Sequence, residues 1–155
     1  MRESTHLLVG LGVSAVVCKY ASCDTIVDGV ALVSSILVNE IIDVFGHEHL
    51  WWQRYPRRIK ITHSLFGVIA VSLIVTTIMQ ILLGYIGTNY NSSSLIFWAA
   101  LSTGVSHLVL DSLNPSGVYI CGKRISFRVV RAGNPVANLL FQVLGVLLLC
   151  YGLCS

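Results

Sequence analysis

Seven ionisable side chains stand at the ends of apolar stretches of this sequence and share the chemistry of metal ligands. They are His6, Glu40, Asp43, His47, His63, His107 and Asp111. Imidazole and carboxylate groups together bind zinc, and they also bind harder divalent ions such as manganese or magnesium. A divalent ion with an open coordination position activates water for hydrolysis. We therefore expect a metal-dependent hydrolytic site if the fold brings these residues together.

Spacing along the chain places two subsets of these residues on single helix faces. His107 and Asp111 are four positions apart, which puts Cβ atoms about 5–6 Å apart on one face of a helix. Glu40, Asp43 and His47 follow at intervals of three and four, and they share a stripe if the helix extends that far. The alternative for His107 and Asp111 is a hydrogen bond at the helix end without a metal.

The chain after the second apolar stretch supplies further candidates. A general base toward the attacking water would be a carboxylate, Glu40 or Glu48. Attraction to anionic lipid accounts for the basic residues Arg57, Arg58 and Lys60. Binding of a phosphate-bearing substrate is a second duty that these three residues could perform.

The composition indicates a membrane protein. Of 155 residues, 11% are charged and 55% are hydrophobic, whereas a soluble domain is about 25% charged. Positions 61–110 contain no Asp, Glu, Lys or Arg. As one helix this stretch would be about 75 Å long, over twice the roughly 30 Å of a bilayer core. It must therefore turn back once, and the polar run 87–94 is the expected turn.

Five apolar stretches are candidates for membrane-spanning helices, at positions 7–20, 26–42, 64–86, 95–110 and 136–153. Only helices satisfy their own backbone hydrogen bonds within lipid when the segment is not a closed barrel. We therefore expect an all-α helical bundle that forms a single integral membrane domain over positions 1–155. A short β-hairpin is expected within 113–135, where β-forming residues flank Gly122 and Lys123.

The basic residues predict the orientation of the bundle. Five spans place the N-terminus and the loops after the second and fourth spans on one face. That face receives nine of the ten Lys and Arg residues, all except Lys19. Because positive residues favour the cytoplasmic side, we expect a protein of the cell membrane with its N-terminus in the cytoplasm and its C-terminus outside.

The same alternation gathers the candidate residues at the cytoplasmic face. A site confined to one face fits an enzyme better than a transporter or channel, which needs polar residues along a path through the membrane. A further alternative is a membrane scaffold, in which a metal closed by four protein ligands only holds helix ends together.

Three motifs resemble those of a known family. They read Thr-His-Leu-Leu-Val-Gly at 5–10, Ile-Thr-His-Ser at 61–64, and His-x-x-x-Asp followed by Asn-Pro-Ser-Gly within 106–118. Their order and spacing are similar to those of the YdjM-like, LexA-regulated, membrane-bound metal-dependent hydrolases, from His6 to at least Pro135. The resemblance implies metal-ligand roles for His6, His63, His107 and Asp111.

The chain departs from this family after the second span, where the family usually carries Pro-Asp-x-Asp-His. Here positions 39–49 read Asn-Glu-Ile-Ile-Asp-Val-Phe-Gly-His-Glu-His, which is similar to a smaller, archaeal-type branch. Asp43 and His47 are the best substitutes for the missing acid and histidine, and Glu40 comes next.

The resemblance and the membrane location together suggest what the site would bind. The expected cofactor is a divalent metal, zinc before manganese or magnesium. A site at the headgroup level makes a phosphoester or a phospholipid headgroup the natural substrate, and the family's similarity to zinc-dependent phospholipases points the same way. We expect membrane lipids, and not nucleic acid, as partners.

Overall fold

The computed structural model describes residues 1–21, 25–48, 57–85 and 93–154. Five helices dominate the described chain, namely α1 (Glu3–Ala21), α2 (Thr25–Gly46), α3 (Leu65–Tyr85), α4 (Ser93–Ser112) and α5 (Pro135–Leu153). Each is long and apolar enough to cross a membrane, with mean hydropathy between 1.3 and 2.4. The all-α fold class and the five predicted spans are confirmed.

The helices extend the predicted spans at their polar ends. α1 begins at Glu3 rather than at position 7, because an acidic side chain is favoured in the first turn of a helix. With 19 residues, α1 is about 28 Å long, so the shortest predicted span is long enough to cross a bilayer core of roughly 30 Å with little mismatch. α2 continues beyond position 42 to Gly46. The turn predicted at 87–94 lies largely outside the described residues.

Two short strand pairs flank the helices at the end of the bundle that holds the candidate residues. β1 (His47–Glu48) pairs antiparallel with β2 (Arg57–Arg58). β3 (Val118–Ile120) pairs antiparallel with β4 (Lys123–Ile125), which confirms the predicted hairpin. The turn residues Cys121 and Gly122 have φ of 48° and 77°, and two successive positive φ values suit the right-handed twist of a two-residue hairpin.

Small residues bring α1 and α5 into close contact. A Cβ on Gly145 of α5 would lie 2.6 Å from the carbonyl carbon of Leu8, and a Cβ on Gly12 of α1 would lie 2.8 Å from the Cβ of Leu148. Close backbone approach through small residues is the usual basis of helix packing within a membrane. α5 otherwise exposes large apolar side chains such as Leu140 and Leu147, as expected of a surface that faces lipid.

The main apolar core lies between α2, α3 and α4. Its buried members from these helices are Val38, Ile42, Val68, Val75, Met79, Leu83, Ile96, Ala100 and Leu108. Val118 of β3 joins the same core, so the hairpin is anchored against the helix ends. The backbone nitrogen of Tyr119 donates to the carbonyl of His63 at 2.9 Å, which fixes the chain entering α3 against β3.

Candidate metal centre

Five side chains from four parts of the chain meet at one end of the bundle. His6 lies in the first turns of α1, Asp43 in the last turn of α2, His63 just before α3, and His107 and Asp111 near the end of α4. They form two overlapping groups, His6 with His107 and Asp111, and Asp43 with His63 and His107, and in each group the ligand atoms lie within 4.8 Å of one another. The predicted convergence of helix ends is therefore observed.

Asp111 lies at the centre of this cluster. Its Oδ1 is 3.2 Å from His6 Nε2, and its Oδ2 is 3.4 Å from both His63 Nε2 and His107 Nε2. The amino nitrogen of Met1 lies further away, 3.8 Å from Oδ1. The three imidazoles and Asp111 are at most 2% exposed, so the cluster is shielded from solvent on these sides.

Asp43 brings a second carboxylate to the same place. Its Oδ1 is 3.5 Å from His107 Nε2, and its side chain is 17% exposed. His107 Nε2 therefore faces an oxygen of Asp43 and an oxygen of Asp111. Two carboxylates at buried positions require compensating positive charge, and a divalent cation among them would supply it.

The separations within the cluster fit ligands that share an ion. Two ligand atoms that each lie about 2.1 Å from zinc at a tetrahedral angle are about 3.4 Å apart. A charge-assisted hydrogen bond between imidazolium and carboxylate is shorter, about 2.7–2.9 Å. The nitrogen-to-oxygen distances here run from 3.2 to 3.5 Å. The donor set and its spacing therefore fit a divalent metal.

Packing of α1 against α4 and α5 positions His6. The ring of His6 stacks on that of His107, with centroids 4.0 Å apart and planes inclined by 23°. One turn further along α1, a Cβ on Gly10 would lie 2.7 Å from Thr103 Cγ2, so a small residue is needed for this approach. Thr5 Oγ1 donates to Asn138 Oδ1 of α5 at 2.9 Å.

In the Thr-His-Ser motif, the two residues that flank His63 make different contacts. Thr62 Oγ1 donates to the carbonyl of Ile59 and lies 3.3 Å from His63 Nδ1. This contact at Nδ1 leaves the Nε2 of His63 on the side of Asp111, 3.4 Å from its Oδ2. Ser64 caps α3, because its Oγ accepts from the backbone nitrogen of Gly67 at 3.1 Å.

Gly46 makes room for the ring of His63. A Cβ on Gly46 would overlap His63 Cε1 and lie 2.9 Å from His63 Nδ1. The carbonyl of Gly46 also accepts from the backbone nitrogen of Ile59 at 2.8 Å. The end of α2 thus holds the segment that carries His63 against the cluster.

Asn39 is a member of the site that the sequence did not single out. This residue of α2 is fully buried, and its Oδ1 is 2.9 Å from His107 Nδ1. A signal was present, since Asn39 precedes Asp43 by four positions and so shares its helix face. Because asparagine is not a usual ligand of zinc, its residue type alone does not mark it as part of a metal site.

The remaining predicted site residues lie outside the two ligand groups or outside the described part of the chain. Glu40 is a half-buried residue of α2 and belongs to neither ligand group of the described residues. α2 persists to Gly46, as the stripe of Glu40, Asp43 and His47 requires, and His47 follows it as the first residue of β1. The side chains of His47, Glu48, Arg57 and Arg58 lie outside the described part of the chain.

Lys60 lies on an open cavity beside the cluster. The cavity has a volume of about 540 Å³ and is lined by Lys60, Ile61, Ser64, Phe66, Gly67, Ala70, Tyr119, Cys121 and Gly122. Lys60 Nζ lies 5.7 Å from the centroid of the Tyr119 ring. Ser64 and Tyr119 each adjoin His63, by sequence and by hydrogen bond respectively, so this cavity borders the candidate metal centre.

Comparison with known proteins places the chain in a family. No curated protein and no solved structure matches it. A family model described as YdjM inner membrane protein matches residues 1–152, which is nearly the whole chain. This match agrees with the motifs around His6, His63 and His107, whereas the archaeal-type branch stays a prediction. The chain therefore belongs to the YdjM inner membrane protein family.

Proposed function

We propose that this protein is a membrane-embedded, metal-dependent hydrolase that acts on a phosphoester at the level of the lipid headgroups. The observation that carries the proposal is the spacing of 3.2–3.5 Å between imidazole nitrogens and carboxylate oxygens in a buried cluster. Buried ionisable groups at membrane depth are costly and usually functional. Imidazole and carboxylate groups are the kinds of ligand that zinc takes, and the five groups are enough for one or two ions.

The chain's own residues would divide the work as follows. His6, His63, His107, Asp43 and Asp111 would hold one or two metal ions. When bound, the ion would polarise a phosphoryl oxygen and activate water. Glu40, one turn before Asp43 on α2, and Glu48 are the carboxylates proposed to accept the proton of the attacking water.

The cavity beside the cluster supports a phospholipid as the substrate. Its lining combines the apolar side chains of Ile61 and Phe66 with the ammonium group of Lys60. A phospholipid is complementary to this lining, because its acyl chain would contact the apolar side chains and its anionic phosphate would pair with the ammonium group. Arg57 and Arg58 are proposed to add positive charge to this region, in addition to attraction of the anionic membrane surface.

Turnover by purified protein in vesicles tests the proposal. The protein would be reconstituted in phosphatidylethanolamine and phosphatidylglycerol with zinc, manganese or magnesium, and released headgroup would be followed by phosphorus NMR. We expect metal-dependent release that is abolished by Asp111→Asn. Asp28→Asn is the matched control, because Asp28 belongs to the first turn of α2, at the opposite end of the bundle, and should leave the rate unchanged.

Two variants separate the proposed roles of the residues around the metal. Glu40→Gln should lower kcat without lowering the metal content, and Lys60→Ala should raise KM for the lipid. Release no greater than from protein-free vesicles with all three ions would overturn the proposal, as would equal release by wild type and Asp111→Asn.

A conduit is the second candidate function, favoured by a polar stripe on α3. Ser72, Thr76 and Gln80 follow at intervals of four and therefore share a helix face. Among the described residues, Ser72 Oγ, Thr76 Oγ1 and Gln80 Nε2 are buried and have no hydrogen-bond partner. Such groups within a membrane suit an aqueous path. Ion or proton flux into proteoliposomes that is retained without divalent metal and lost in Thr76→Val would favour this function over hydrolysis.

A further inference from the structure

We propose that Asn39 is a positioning residue for the metal centre, and that its amide oxygen holds the ring of His107 with Nε2 directed at the ion. The inference rests on the proposed metal site, and it assigns a role to a residue outside the ligand set. Asn39 sits on α2 and His107 on α4, so the contact also joins two helices that each contribute ligands.

The geometry is consistent with one tautomer of His107, in which both ring nitrogens have a partner. Asn39 Oδ1 lies 2.9 Å from Nδ1, and an amide oxygen only accepts, so Nδ1 carries the donated hydrogen. In a neutral imidazole this leaves the lone pair on Nε2. Nε2 lies 3.5 Å from Asp43 Oδ1 and 3.4 Å from Asp111 Oδ2. The Nε2 lone pair therefore faces two carboxylate oxygens, an arrangement that a cation stabilises.

Burial makes the orientation firm. Asn39 and His107 are both fully buried, so water does not compete for this hydrogen bond. The ring of His107 is also stacked on that of His6, which fixes its plane, while the bond to Asn39 fixes which nitrogen faces the carboxylates. Outer partners of ligating histidines set ring orientation in this way, and their loss typically lowers metal affinity about 10- to 100-fold.

Zinc affinity of purified protein in detergent, measured by competition with a chelator of known affinity, tests the inference. Asn39→Leu keeps the approximate size of the side chain but removes the acceptor, and its affinity should fall about 10- to 100-fold. Asn39→Asp keeps an acceptor at the same place and should retain the wild-type affinity or exceed it. Ser34→Ala is the control, because Ser34 is a fully buried residue of α2 whose hydroxyl donates locally, to the carbonyl of Val30.

The outcomes distinguish this inference from the proposed function. Equal zinc affinity of wild type and Asn39→Leu would overturn the role of Asn39 and leave the metal site intact. If Asn39→Asp loses zinc, the amide acts as a donor and the inference is wrong, and this variant decides even if Asn39→Leu does not fold. Absence of zinc binding by the wild type would instead overturn the proposed function itself.

Discussion

At the scale of the residue, Asp111 connects the ligands from the different helices. One of its oxygens faces His6 and the other faces His63 and His107. A buried carboxylate that contacts three imidazoles at ligand-like distances is poorly explained by a helix-end hydrogen bond to His107 alone, which was the alternative considered from the sequence. The three histidines therefore lie around one shared carboxylate.

Removal of one imidazole should empty the site while the bundle stays folded. His107 belongs to both ligand groups, so His107→Ala should bind almost no metal, whereas the wild type should bind at least about one ion per chain. The metal content is measured by inductively coupled plasma mass spectrometry. Ser106→Ala is the control, because the Ser106 hydroxyl donates to the carbonyl of Thr103 in its own helix. Equal metal content in wild type and His107→Ala would contradict the assignment.

Addition of one methyl group at Gly46 should disturb His63. The new Cβ would overlap the His63 ring, so Gly46→Ala should reduce zinc affinity and destabilise the fold by about 1–3 kcal/mol, as overpacking usually does. The matched control is Gly29→Ala on the same helix, where an added Cβ meets no atom within 4 Å. Chemical unfolding would measure the loss of stability, and zinc titration would measure the loss of affinity. Unchanged zinc affinity in Gly46→Ala would count against the placement of His63.

The sequence singled out the side chains that meet in the cluster, and it did not indicate the residues that position them. His6, His63, His107 and Asp111 were identified because imidazoles and carboxylates are rare in apolar segments. Asn39 was missed, since a buried amide is recognised as functional only once its partner is known. α2 persists to Gly46, as the spacing of His47 requires.

At the scale of the element, each helix end that carries a ligand is tied to a neighbour. Asn138 of α5 joins the start of α1, because its Oδ1 accepts from the backbone nitrogen of Arg2 and from Thr5 Oγ1, both at 2.9 Å. Its Nδ2 donates to the carbonyls of Ala132 and Asn134. α5 supplies no ligand among the described residues, yet through Asn138 it positions the turn that carries His6.

Loss of this junction should loosen α1. Asn138→Leu removes four hydrogen bonds, each worth about 0.5–1.5 kcal/mol, and we expect a loss of about 2–4 kcal/mol in the free energy of unfolding with weaker metal binding. The control is Asn134→Asp, which replaces the amide oxygen that caps α5 with a carboxylate oxygen able to accept from the same backbone nitrogens of Val136 and Ala137. Unfolding in detergent gives the comparison, and equal stability of Asn138→Leu and wild type would refute the junction.

The elements were predictable where one physical cause dominates. Length and apolarity predicted the five helices, and β-forming residues around a glycine predicted the hairpin β3–β4. The two-residue strands β1 and β2 were not predicted, because pairs so short carry no periodic signal. Their pairing depends instead on where α2 ends and α3 begins.

At the scale of the whole molecule, the polar chemistry is concentrated at one end of the bundle. The other end is held by Lys19, whose Nζ donates to the carbonyls of Tyr151 and Cys154 at 2.9 and 2.6 Å. This cation thus caps the end of α5, a use that needs no cytoplasmic location. The exception to the charge bias therefore has a structural reason.

The charge bias predicts the side of the membrane on which the site lies. Because eight of the nine Lys and Arg residues within the described ranges belong to the end that carries the cluster, we expect that end in the cytoplasm. A reporter that is active only in the cytoplasm should work at the N-terminus, and one that is active only outside should work at the C-terminus. The reverse pattern would place the site on the outer face.

X-ray absorption at the zinc edge of purified, zinc-loaded protein tests the central claim most directly. We expect nitrogen and oxygen neighbours at about 2.0–2.1 Å, with the outer-shell pattern of two or three imidazoles that diminishes in His63→Ala. An additional water oxygen in the first shell would favour catalysis over a structural metal. Protein that retains no zinc, or zinc without imidazole neighbours, would contradict the shared site of His6, His63, His107 and Asp111.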